Sequence, residues 1–184
     1  MAVRQVRIYG DPVLRQKAVD VTVFDESLRS LVADLFDTMK VYRGVGLAAP
    51  QVGVAQRVFV VDVPVEDAPN VRLAVVNPVL DTRSGKETSE EGCLSMPGIY
   101  EDVTRSAELR LRAFDEHGNA FERRVDGYFA RAVQHESDHL DGVLFTDRLS
   151  PLKRQFLRRQ LDALARGEVP EGYHPTASQE EDTL

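Results

Sequence analysis

The sequence predicts an α+β fold: antiparallel or mixed sheets packed around one central helix, with an N-terminal and a C-terminal helix. Three observations predict it. Apolar residues recur at helical spacing over about 25–43, 126–141 and 151–166. Between these stretches lie short apolar or alternating runs bounded by turn residues, the pattern of strands. No internal repeat or linker divides the chain. Residues 1–167 are therefore expected to form a single domain. Residues 168–184 lose periodicity, are rich in Glu, Pro and small polar residues, and read as a flexible acidic tail.

Taken in order, residues 3–23 read as an extended lead-in with a turn at Asp11-Pro12. The first helix can be capped by Asp25, and Leu28, Leu31, Val32, Leu35 and Met39 form its apolar stripe. Lys40 and Arg43 suit its C-terminal dipole, and Gly44 suits the residue just past its end. The glycine-rich run GVGLAAPQ at 44–51 contains GxGxxA. A dinucleotide loop needs a strand before it and a helix after it; here a helix precedes and a strand (RVFVVDV, 57–63) follows, so that reading fails. The run is either a turn or a flat backbone along which a substrate could lie, with Gln51 projecting as a donor. Residues 71–80 read as a strand with Pro78 at an edge or bulge. Residues 90–97 read as too irregular for a regular element throughout. AELRLRAF (107–114) and 120–125 pair as a hairpin across Glu116-His117-Gly118-Asn119.

The central helix carries His135-Glu136-Ser137-Asp138-His139, with Asp126 as N-cap and Gly142 at its stop. At about 100° per residue, the two histidines lie about 40° apart. Phe129, Ala132, Val133, Glu136 and Leu140 share their arc, while Gln134, Ser137, Asp138 and Asp141 fall opposite. Burying two imidazoles and a carboxylate without partners would cost several kcal/mol. A metal ion would satisfy the imidazoles, and HExxH on a helix is the spacing of two ligands beside a glutamate base. The last helix begins at Ser150 with Pro151 in its first turn. Phe156, Leu157, Leu161 and Leu164 are its expected apolar contacts, and Lys153, Arg154, Arg158, Arg159 and Arg166 make it basic.

Composition narrows the function. Hydrophobic content of 42% with 29% charged residues is that of a soluble globular protein, and the net charge of −7 opposes general nucleic-acid binding. No apolar run approaches the roughly 20 residues of a membrane span, and the N-terminus has no apolar signal core. A cytoplasmic location is expected, with no membrane and no specific DNA among the partners. Cys93 is the only cysteine.

A helical histidine pair needs a third protein ligand. The metzincin pattern is obeyed through Gly142, but Phe145 stands where its third His should be. Glu168 lies toward the tail, and Asp147 is weakly placed. Cys93 is the remaining good candidate, unless it is an inert core thiol.

Three segments in this order and spacing, GVGLAAPQ at 44–51, EGCLS at 91–95 and QHESDHLDG at 134–142, resemble the signature motifs of peptide deformylase. The resemblance spans roughly residues 5 to 165. It implies removal of the formyl group from N-formyl-methionyl nascent peptides. Cys93, His135 and His139 would bind one divalent metal, iron(II) in the common case, with zinc, nickel or cobalt able to replace it. Glu136 would be the base, and the Gln51 amide and Leu94 N–H would donate to the oxyanion. Val45, Gly46, Glu91, Gly92, Tyr128 and Ala132 would meet substrate. An arginine that some members carry seven residues after the cysteine is Tyr100 here. Asp138 is expected to pair with Arg105, and the basic face of the last helix to be either a solvated surface or a ribosome contact. A peptidase of internal bonds is opposed by the missing downstream ligand. A closed structural metal centre would need His117 or His174.

Overall fold

A computed structural model describes residues 2–65 and 68–173. The chain runs α1 (Glu26–Val41), β1 (Gly46–Ala48), β2 (Val58–Val65), β3 (Ala68–Ser84), β4 (Glu87–Cys93), β5 (Met96–Arg105), β6 (Glu108–Phe114), β7 (Ala120–Asp126), α2 (Gly127–Leu140) and α3 (Pro151–Ala165). Short 3-10 turns occur at Pro12–Arg15, Ala49–Val52 and Phe145–Arg148. The strands make a five-stranded antiparallel sheet in the order β1-β2-β3-β6-β7 and a separate antiparallel hairpin, β4-β5.

Strand β2 explains the architecture. Its continuous apolar run is buried on both faces because alternate side chains meet different helices. Val58 and Val60 face α1 with Leu28, Leu31 and Leu35. Phe59, Val61 and Val63 face α2 with Ala130, Val133 and Leu140. A third cluster joins Met96, Ile99 and Val103 of β5 to Leu157, Leu161 and Leu164 of α3. No helix among the described residues is long and apolar enough to cross a membrane.

Asp25 caps α1 through its side chain, which accepts from the Leu28 N–H. The left-handed residue after α1 is Arg43 (φ 57°), not the expected Gly44. Asp126 stands at the N-cap of α2, but its side chain makes no capping bond. The stop at Gly142 is as read, with φ 70°. Pro78 lies where the β3–β6 register shifts, so it marks a bulge.

Residues 90–97, expected to be too irregular for a regular element throughout, span the end of β4, the turn at Leu94-Ser95 and the start of β5. The two strands pair as a hairpin with Gly92 opposite Tyr100 and Glu91 opposite Glu101, the register shifting at Gly92/Cys93. The helical wheel also needs correction. Gln134 and Ser137, assigned to the outer arc, are buried. Gln134 is drawn inward by hydrogen bonds to the backbone of Ser106. Phe156 is 76% exposed and gives α3 no core contact. The expected tail starts too early, since Val169 packs against the third cluster and Tyr173 against Tyr42. The rest of that tail, with His174, lies outside the described residues.

Candidate active site

A cleft of about 490 Å³ opens between β1, the β4–β5 hairpin and α2. Its lining includes Val45, Gly46, Gln51, Glu91, Gly92, Cys93, Leu94, Tyr128, Ala132, His135 and Glu136, and so nearly every residue singled out in the sequence. His139 lies behind them at 1% exposure. Cys93 closes β4, while His135 and His139 occupy successive turns of α2. One ligand atom from each, Cys93 Sγ and one nitrogen of each imidazole, lie within 4.8 Å of one another. Cys93 Sγ is 3.3 Å from His139 Nε2.

This donor set fits a metal. A thiolate and two imidazoles suit zinc or iron(II), and three protein ligands leave a tetrahedral position open. His135 contacts Glu91 Oε2 through Nδ1 at 3.0 Å, which leaves Nε2 for the ion. The downstream acids are engaged elsewhere: Asp147 with Arg15 and the Leu144 N–H, Glu168 with Arg166. Phe145, at the third-histidine position of the metzincin pattern, stacks on His135 with ring centroids 6.1 Å apart. His117 sits in the exposed β6–β7 turn.

Glu136 Oε2 and His139 Nδ1 are buried without a hydrogen-bond partner among the described residues. Burial pushes the Glu136 carboxyl up to about 7, against the lowering influence of His135. Burial likewise holds His139 well below the usual histidine range, in the neutral form that ligates. Gly46 is required by close approach: a Cβ there would fall 2.4 Å from Glu136 Oε1. β1 thus brings bare backbone against the carboxylate.

Gln51, 1% exposed, is fixed by its Oε1 accepting from the Ala48 N–H at 2.8 Å. Its Nε2 is thereby aimed at Cys93 Sγ (3.6 Å) and Ser95 Oγ (3.2 Å).

The Glu91 side chain is engaged within the protein. Its carboxylate is taken up by Arg105 Nη2 (2.9 Å), Arg131 Nη1 (2.8 Å) and His135, so that side chain is not free for substrate. Burial raises its pKa, but the Arg105 and His135 contacts outweigh this and hold it well below the carboxylate range. Arg131 also donates to the carbonyls of Glu87 and Val103. Asp138 pairs with Arg105 at 2.9 Å, as expected, and with Arg148 as well.

Sequence reasoning did not place Arg43 or Tyr173 in the cleft wall, where Tyr100, noted at the position of an arginine in some family members, also lies. Of these three only Tyr100 carried a sequence signal, its place seven residues after Cys93, and Gly92 lies against its ring.

The polypeptide deformylase family model matches residues 3–155. A peptide deformylase of Alkalilimnicola ehrlichii is 48% identical over 166 residues, covering 90% of this chain and 93% of that protein. One from Thermotoga maritima is 47% identical over 163 residues, covering 88% and 96%. The crystal structure of the Thermus thermophilus peptide deformylase superposes with a TM-score of 0.84 at 42% identity, covering 90% of this chain and 99% of that one.

Proposed function

The chain belongs to the peptide deformylase family, whose members remove the N-formyl group from nascent peptides, and from that premise we propose how its own residues divide the work. The observation that carries the proposal is the meeting of Cys93 with His135 and His139, beside a buried Glu136 whose Oε2 has no hydrogen-bond partner among the described residues. A divalent cation held by those three ligands would supply a Lewis acid and lower the pKa of water from about 15.7 towards neutrality. Iron(II) is the metal proposed; zinc, nickel and cobalt suit the same donors.

Glu136 accepts the proton of the water that adds to the formyl carbon, then gives it to the amine as the C–N bond breaks. Formate and a free N-terminal methionine result. The Gln51 amide and the Leu94 N–H donate to the oxyanion that develops, each such donor contributing about 3–4 kcal/mol. Substrate backbone adds as a strand along Val45-Gly46, with Glu91-Gly92 on the other side. The methionine side chain enters beside Tyr128 and Ala132.

Formyl-Met-Ala, acetyl-Met-Ala and a longer unblocked peptide are the test. The metal-loaded protein is expected to release formate from the first and cleave neither of the others. Glu136→Gln should lower turnover by about 10²–10⁴-fold with metal content unchanged. Internal cleavage, or wild-type formate release by that variant, would refute the assignment.

A nascent-peptide substrate supports a cytosolic setting, and a second surface suits that setting. On α3, Arg154, Arg158 and Arg159 are exposed beside Leu152 (61%) and Phe156 (76%). We propose that this face contacts the ribosome. Co-sedimentation with ribosomes should fall as salt rises and in Arg158→Glu/Arg159→Glu; salt-insensitive or absent co-sedimentation argues against it.

A further inference from the structure

Beyond α3 the chain turns back to the cleft. Pro170 lies over Gly98, and Tyr173 reaches the wall, where its hydroxyl donates to the Leu94 carbonyl and its ring meets Tyr42 at 5.7 Å. Leu94 follows the metal ligand Cys93, and Tyr42 ends α1 just before the strand that substrate would join. Tyr173 therefore bridges the two walls of the cleft. It lies beyond residue 155, where the family match ends. Tyr42 and Tyr173 also border a second groove, lined by Val3, Gln5 and Val169, so the ring pair is a partition between two solvent spaces.

The sheet assigns a side to this partition. Side chains along an extended strand alternate between faces. A substrate strand beside β1 that sends methionine toward α2 sends its next side chain toward the α1 face. Tyr42 and Leu94 pack on the α1 cluster, and Tyr173 joins them there.

Building on the deformylase reading, we propose that Tyr173 is a specificity-determining residue. Its ring, with Tyr42, takes the side chain that follows formyl-methionine and favours an apolar or aromatic one. The hydroxyl bond to Leu94 anchors the ring.

The test compares formate release from formyl-Met-Phe-Ser and formyl-Met-Ala-Ser by wild type, Tyr173→Ala, Tyr173→Leu and Tyr173→Phe. Wild type should favour the phenylalanine peptide. Tyr173→Ala should raise KM for that peptide by about three- to tenfold, as expected for loss of one aromatic pair, with kcat little changed. The alanine peptide should stay within about twofold. Tyr173→Phe keeps the preference, and Tyr173→Leu, which retains bulk should the alanine variant fail to fold, weakens it. An equal loss on both peptides means that Tyr173 only braces the wall, and that overturns the proposal, as does no change on either. Wild type silent on both peptides overturns the deformylase reading itself, a result distinct from the other two.

Discussion

Glu91 shows what one carboxylate does when three cationic or potentially cationic groups converge on it. Taking it out of water is costly, and the two arginines and His135 recover that cost only as a complete set. Its contact with His135 Nδ1 also fixes the imidazole orientation. Glu91→Gln leaves Arg105 and Arg131 buried with too little charge opposite them. The expected result is a loss of about 3 kcal/mol in urea unfolding and of about 10–100-fold in metal affinity by chelator competition. Wild-type values in both would show that the cluster neither stabilises the fold nor orients the ligand. Little of this was legible beforehand. In ETSEEGC nothing separates a buried glutamate from its exposed neighbours, because its partners lie on other elements, Arg105 14 residues away, Arg131 40 and His135 44. HExxH was legible because its members share one helix face, where spacing alone fixes geometry.

Elements were readable where local rules govern them. The α1 stripe, the continuous run of β2 and the β6–β7 turn follow from periodicity and turn chemistry. The β4–β5 hairpin was not, since its outer strand is polar and is held by register and by buried ion pairs instead of alternation. The end of α2 is a sharper case. Gly142 takes φ 70°, and a Cβ there would lie 2.6 Å from the Arg15 carbonyl oxygen. Gly142→Ala therefore meets both a left-handed backbone and a backbone clash. A loss of about 2–3 kcal/mol in urea unfolding is expected, with Gly167→Ala, which has nothing within 4 Å of its Cβ, losing less despite its own positive φ of 83°. Equal losses would mean that contact with the N-terminal segment is unimportant.

Across the whole molecule, ion pairs set the acid limit. Arg110 holds Asp81 down to about 2; Lys153 lowers Glu101; and Glu91 is held low against its own burial. A carboxylate depressed on folding contributes stability that is present above its unfolded pKa and is lost as pH falls through the folded one. The exposed pairs are screened by solvent, so Glu91 should dominate. Below about pH 4 urea midpoints should fall, with a shallower fall in Glu91→Gln; matching slopes would move the acid sensitivity elsewhere. The hairpin has one more consequence, because it shares no ladder with the larger sheet. Sulfur and imidazoles thus come from two separately paired pieces, and an ion seated among them is a cross-link closing a loop of about forty residues. Chelation should then quicken amide hydrogen exchange in β4 and β5 well before it reaches β2, making the cofactor a rivet as well as a reagent.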